Sequence, residues 1–420
     1  MSVDLPKGWQ EARFGKLAKE VRTRGLGSGP FPVLSVTKHR GFVRSSEYFT
    51  KTIHSADTEQ YKLVRKGQFA YATIHLDEGS IDLLQKFEAG LISPMYTVFE
   101  VKPGVLDPFF ALRSLKRLAL SGRFAPYSNG GVNRRRSIAF RDLAAYKYEY
   151  PPYPEQLAIG EVLRTVEDAI ARRREIIEQL ERTADAVFQD ALYPGGVPRF
   201  PLAKFGDAIE STKYGTSVKA GKHSGGYAVL GIPNIVARRV KEDTLNRVEL
   251  SENEAKKYSL KSGDLLAVRT NGNPEYVGRM ALIQDPMPAT IFASYLIRIR
   301  LKKSVALPEF IEACAPRWPL RISLTKSATT SAGNFNINTD GISQAKIILP
   351  PIDVQQQVVK IERAFQDRIE AESRTLSELQ NSHRALSQEL LSGRLRLPAS
   401  MIARFENAGS SSKTSDVVTA

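Results

Sequence analysis

From Ile159 onward, apolar residues recur at alternating steps of four and three: Ile159, Leu163, Val166, Ile170, Ile177, Leu180, Ala184, Val187 and Ala191. That spacing is the seam of a long helix packed against another helix, here interrupted by Arg173. A second stretch places Val358, Phe365, Ile369, Leu376, Leu379, Leu386 and Leu390 in the same way, with Glu362, Glu372 and His383 at seam positions. Polar residues there weaken the seam but help to fix its register. The residues expected to pair the helices are therefore Ile159, Leu163, Val166, Ile170, Ile177 and Leu180 on one side. On the other they are Val358, Phe365, Ile369, Leu376, Leu379 and Leu386.

The limits of both helices are marked. Pro151-Pro152 and Pro350-Pro351 stop the preceding strands and pre-set the backbone for a helix, while Pro194, Gly195 and Gly196 end the first and Gly393 the second. At 1.5 Å per residue, a helix of about 38 residues makes a rod of about 57 Å. The remaining sequence mixes short alternating strands with Gly/Ser/Asn/Pro turns. One helix is expected in each such block, near Pro108 to Leu120 and Pro308 to Cys314. The fold class is α+β: two α+β domains separated by two long helices that form an antiparallel coiled coil. The boundaries read as a first domain at 1–150, a long helix at 151–195, a second domain at 196–349, a second long helix at 350–397 and a disordered tail at 398–420.

The two halves repeat. YPPYPEQLAIGEVLRTVEDAI from Tyr150 matches LPPIDVQQQVVKIERAFQDRI from Leu349 without a gap, pairing Pro151 with Pro350, Gln156 with Gln355, Arg164 with Arg363 and Leu192 with Leu391. The domains repeat more loosely. ARFGKLAKEV around Phe14 resembles AKFGDAIEST around Phe205, and VRKGQFAYATIH from Val64 resembles LKSGDLLAVRTN from Leu260, with Gly67 and Gly263 suiting a turn into a strand. The chain is a tandem duplication of domain followed by helix.

Charge sharpens that division. The net charge is +15, and it sits in two blocks: residues 1–150 carry 24 Lys/Arg against 14 Asp/Glu, and residues 196–350 carry 22 against 13. The segments 151–195 and 351–420 are acidic and neutral. A basic excess confined to two domains suits phosphate binding, which makes nucleic acid the leading partner. No apolar run reaches membrane-spanning length and the start lacks a signal-peptide core, so the cytoplasm is the default. The lone Cys314 has no partner for a disulfide and reads as a core residue.

In its repeat, its proline pairs and its long helices, the layout over residues 1 to about 397 resembles the DNA specificity subunit of type I restriction-modification enzymes. Its most specific elements are the helix starts Pro151-Pro152-Tyr153-Pro154-Glu155-Gln156 and Pro350-Pro351-Ile352-Asp353-Val354-Gln355, the second departing from the usual Glu-Gln. The resemblance implies that each basic domain is a target recognition domain for one half of a bipartite DNA site. It implies that the helices set the gap, and a rod of about 57 Å corresponds to half-sites about one turn of duplex apart. It also implies partners docked on the helices: two modification subunits that methylate adenine with S-adenosylmethionine, and restriction (motor-nuclease) subunits that use ATP and Mg. No cofactor is expected in this chain.

Other motifs lead elsewhere or nowhere. Tyr150-Pro151-Pro152-Tyr153 lacks the Asn, Asp or Ser that an amino-methyltransferase loop needs before its prolines. The Gly25, Gly27, Gly29 cluster does not lie between a strand and a helix, and no ATP-binding Gly-x-x-x-x-Gly-Lys-Ser/Thr is present. His39, His54, His75, His223 and His383 have no metal-ligand spacing. For DNA, Arg134, Arg135, Arg136, Lys213, Lys219, Lys222, Arg238 and Arg239 are candidates to grip phosphates. Thr73 and His75, with Arg269, Asn271 and Asn273 at the matching turn, are candidates to read bases, since Arg pairs with guanine and Asn with adenine. Two other readings stay open: a fragment that guides an attached catalytic domain, and a coiled-coil scaffold whose basic domains bind nucleic acid outside restriction-modification or other acidic ligands. Turnover by the purified chain would mark the first, and salt-insensitive binding the second.

Overall fold

The structure is a computed structural model that describes residues 5–24, 31–48, 59–128, 137–221, 225–235, 245–286, 288–331 and 333–409. It divides into two compact units, Met1–Arg174 with Thr375–Ala420, and Glu175–Arg374. Both boundaries fall inside the long helices, so each unit holds one basic domain together with part of each helix. The two tryptophans, Trp9 and Trp318, fall one in each unit.

In the first unit, a four-stranded sheet runs in the order Ala18–Val21, Tyr96–Val101, Phe69–Ala72, Ile81–Leu83. A second orders Gly41–Arg44, Val33–Thr37, Ala89–Ile92 and Lys62–Arg65. Gln10–Arg13 pairs antiparallel with Lys147–Tyr150 and closes the domain just before the first long helix. The intervening helix Pro108–Leu120 forms where expected. Its proline occupies the first turn, and the Asp107 side chain accepts from the Phe110 amide at 2.8 Å.

The second unit repeats this plan. Its main sheet runs Ile209–Tyr214, Leu296–Leu301, Leu265–Val268, Met280–Leu282, strand for strand the order of the first. Leu202–Lys204 pairs with Lys346–Ile348 before the second long helix, and Pro308–Cys314 forms the equivalent helix. The repeated Phe-Gly has one cause in both copies. Phe14 and Phe205 are buried, and a Cβ on Gly15 would lie 3.0 Å from Ala144 Cβ, as one on Gly206 would lie 3.1 Å from Ser343 Cβ. Only glycine lets the short helices Phe140–Ala145 and Thr339–Gln344 approach so closely. Among the described residues, the second sheet here has three strands, and Thr270–Asn271, Asn334–Asn336 and Thr329–Ser331 form a further small sheet.

The long helices span Tyr153–Leu192 and Ile352–Leu390. In the first unit, Ile159 and Leu163 share one core with Leu390 and Leu391, so the start of one helix packs near the end of the other. In the second unit, Phe188 and Leu192 share a core with Val358 and Val359. The pairing is antiparallel in each. Of the expected seam residues, Ile159, Leu163, Ile170 and Val358 are buried, while Val166, Ile177, Leu180, Phe365, Ile369, Leu376, Leu379 and Leu386 are half-buried. The tail expected to be disordered from residue 398 is partly ordered, with a helical turn at Ala399–Ala403 and an ion pair from Arg404 to Glu161. The second long helix correspondingly stops at Leu390 rather than 397, because Gly393 adopts φ +72° and ends it.

Candidate nucleic-acid interface

Each main sheet delivers a loop to one edge of its domain. Gly67 and Gly263, at φ +85° and +90°, turn the chain into buried strands Phe69–Ala72 and Leu265–Val268. The chain leaves those strands at Thr73 and Arg269. In the first unit, Thr73 Oγ1 donates to the Met95 carbonyl at 3.1 Å, and exposed His75 lies 3.1 Å from the Glu78 carboxylate. In the second, the Arg269 guanidinium lies 4.7 Å from the centre of the Tyr214 ring and donates to the Ser294 carbonyl at 3.4 Å.

The two asparagines have local duties. Asn271 Oδ1 accepts from the Asn273 amide and Asn273 Oδ1 from the Glu275 amide, both at 2.9 Å. These bonds shape the turn and leave each Oδ1 a second lone pair with which to accept from a base. Arg321 holds the same loop from beneath by donating to the carbonyls of Val277, Pro274 and Glu275. Burial pulls its pKa down. Lys213 is exposed next to Tyr214 on the strand Ile209–Tyr214, and Lys219 is exposed on the segment that follows. The structure thus gathers Lys213, Arg269, Asn271 and Asn273 at one edge, with Thr73 and His75 at the equivalent edge of the other domain. Arg134, Arg135, Arg136, Lys222, Arg238 and Arg239, like His54, His223 and Gly25, Gly27 and Gly29, lie outside the described residues.

Sequence reasoning missed Tyr214, Met95 and Tyr295 at these edges. Nothing in these short stretches of sequence marks which residue a turn exposes.

A second constellation fastens each domain to a helix. Gln156 Oε1 accepts from the Asp107 amide at 2.8 Å, and its Nε2 donates to the carbonyls of Val105 and Pro151, both at 2.9 Å. Gln355 does the same with the Leu307 amide at 2.9 Å, Val305 at 2.9 Å and Pro350 at 2.8 Å. Both glutamines are buried. This explains the repeated proline-to-glutamine spacing: one side chain ties the helix start to the N-terminus of the domain's own helix. The tyrosine before the first proline pair, Tyr150, is buried and donates to Gln10 Oε1 at 3.1 Å, across the strand pair that precedes the helix.

The glutamate beside Gln156 also has a task. Buried Glu155 receives two hydrogen bonds from Arg396, at 2.7 and 2.8 Å, so it binds the segment after the second helix. At the other helix start Val354 has no such charge. Polar seam positions are used in the same spirit. In the first unit, Glu167 accepts from Arg113 and lies 3.2 Å from His383. Burial pushes its carboxyl up, but the bonds from His383 and Arg113 outweigh this and hold it at about 2. In the second unit, buried Arg317 bonds Glu362 at 3.2 Å and Asp185 at 2.7 Å, with its guanidinium 4.2 Å from the centre of the Phe188 ring.

Among the described residues no three His, Cys, Asp or Glu side chains converge as a metal site, and no helix is long and apolar enough to cross a membrane. Cys314 is buried in the second unit's core.

Each unit thus holds a copy of one α+β domain, clamped by a glutamine to an antiparallel helix pair and offering a polar loop edge. Residues 202–381 match the family described as the type I restriction modification DNA specificity domain. The specificity subunit of the type I restriction enzyme EcoKI from Escherichia coli strain K12 is 29% identical over 276 residues, covering 61% of this chain and 58% of that protein. The StySPI specificity subunit from Salmonella potsdam is 30% identical over 164 residues, or 38% of this chain and 35% of the relative. The chain thus spans less than two thirds of the length of these relatives. Among solved structures, the type I restriction-modification S subunit from M. genitalium has the same fold, with a TM-score of 0.57 and 13% identity over 92% of this chain and 99% of that one. A chain solved in work on complex assembly and conformational transition of the type I R-M system aligns at TM-score 0.53 and 17% identity, over 94% of this chain and 100% of its own.

Proposed function

We propose that this chain is the sequence-specific DNA-binding specificity subunit of a type I restriction-modification complex. Each target recognition domain reads one half of a bipartite duplex site, and the long helices fix the spacing and dock the modification subunits. The observation that carries this reading is duplication: both basic domains present a loop edge at the same place, and both are tied to a long helix by the same glutamine clamp. Two equivalent readers on one chain suit a target made of two separated parts. Lys213 and Lys219 contribute phosphate contacts, while Arg269, Thr73 and His75 face base edges.

In this reading the chain performs no chemistry. Two modification subunits bring S-adenosylmethionine, restriction subunits bring ATP and Mg, and the complex works in the cytoplasm. Methylome sequencing of cells with and without the gene tests the proposal: a bipartite methylated motif should vanish on deletion, and an unchanged methylome would refute it. With purified chain, binding to random duplex should weaken steeply with salt while a selected site keeps a residual preference.

A further inference from the structure

The turn that abuts each reading loop presents a large side chain to solvent at the same position in both domains. In the first, strands Ala89–Ile92 and Tyr96–Val101 are joined by a turn closed by the Tyr96 amide donating to the Ser93 carbonyl at 3.0 Å. In the second, Thr290–Phe292 and Leu296–Leu301 are joined by a turn closed by the Leu296 amide on the Ala293 carbonyl at 2.9 Å. The residue two places into the turn is Met95 in one copy and Tyr295 in the other, 60% and 57% exposed.

Both tips are locked to the loops already described. The Met95 carbonyl accepts from Thr73 Oγ1, and the Tyr295 carbonyl accepts from the Arg269 amide at 2.8 Å. The Ser294 amide adds a bond to the Thr216 carbonyl at 2.7 Å. A single exposed apolar residue is ordinary. Here the scaffold is the same twice, the residue it holds outward is large twice, and only its identity changes. A fixed turn carrying an interchangeable side chain beside Thr73 or Arg269 has the form of a base-reading position.

We propose that Met95 and Tyr295 are specificity-determining residues that insert into the groove and touch base-pair edges, one in each half-site, an assignment that rests on the DNA-reading function above. The Met95 thioether chain offers an apolar contact of the kind that selects a thymine methyl group, and the Tyr295 ring adds a hydroxyl that can donate or accept. Neither side chain is charged, so neither contributes to the salt-dependent phosphate grip.

The test selects binding sites from a randomised duplex pool with the full chain and with Met95→Ala, Met95→Leu, Tyr295→Ala and Tyr295→Phe variants, sequencing each selected pool. Met95→Ala should flatten the preference at one or two positions of one half-site by about fivefold to tenfold. It should leave the other half-site and the salt dependence of random-duplex binding as they were. Tyr295→Ala should do the converse, and the Leu and Phe variants should keep most of the preference. Unaltered selection profiles in both Ala variants, as expected if these tips instead meet a protein partner, would overturn the assignment. So would a uniform loss across all sequences. A wild-type chain that selects no sequence sinks the functional reading and the assignment with it, whereas a wild-type motif untouched by the substitutions sinks the assignment alone.

Discussion

Replacing Gln355 by leucine should loosen the second domain from its helix without disturbing the rest of the chain. The side chain is buried and makes three hydrogen bonds, accepting from the Leu307 amide and donating to Val305 and Pro350. Leucine fills similar space but leaves one amide and two carbonyls without partners. At about 1–3 kcal/mol per stranded group, lowered where water can reach, the loss is about 3–5 kcal/mol. Two compact units make a single global unfolding energy a poor measure, so the readout should be local. Hydrogen exchange of the full-length chain, followed by mass spectrometry, should show the segment around Leu307 exchanging at least about a hundredfold faster. Gln156→Leu should do the same around Asp107, since that clamp has the same three bonds. Exchange at Leu307 within threefold of the parent would refute the view that this side chain, rather than the apolar packing around it, holds the domain to the helix.

Three further outcomes follow from the charged clusters and the second helix end. Arg317→Met leaves the buried Glu362 carboxylate with much poorer compensation and should cost about 3 kcal/mol, and pairing it with Glu362→Met should recover most of that; urea unfolding followed by Trp318 fluorescence in a Trp9→Phe background measures both. The Glu167 carboxyl is held at about 2 against an ordinary 4.5, so its contribution is fully present above about pH 4.5 and is lost as pH falls towards 2. The melting temperature of the parent should therefore drop more steeply below pH 4.5 than that of Glu167→Gln, and parallel profiles would count against the Arg113–Glu167–His383 cluster. Gly393→Ala should destabilise the first unit by about 2 kcal/mol, because φ is +72° and the new Cβ would meet Pro6 Cγ at 2.5 Å; an unchanged thermal midpoint would contradict this.

The sequence alone determined the architecture. Repeated spacing carries register, and the 3.6-residue period marks the helices, so the duplication, the antiparallel pairing and the helices at Pro108 and Pro308 were all legible. Prolines and glycines gave the ends of the long helices to within a few residues, because their backbone restrictions are local.

Tertiary structure decided what the marked residues do. The glutamine after each proline pair was visible as a repeat, but its three partners lie about 50 residues away or across the helix start, and only folding brings them to it. Seam residues Glu362 and His383 read as breaks in an apolar stripe, whereas the folded chain supplies Arg317 and Glu167 as their partners. Met95 and Tyr295 were invisible as functional candidates because nothing in a short apolar stretch says which residue a turn will push into solvent. Exposure is a property of the assembled surface, and it depends on every strand packed beneath the turn.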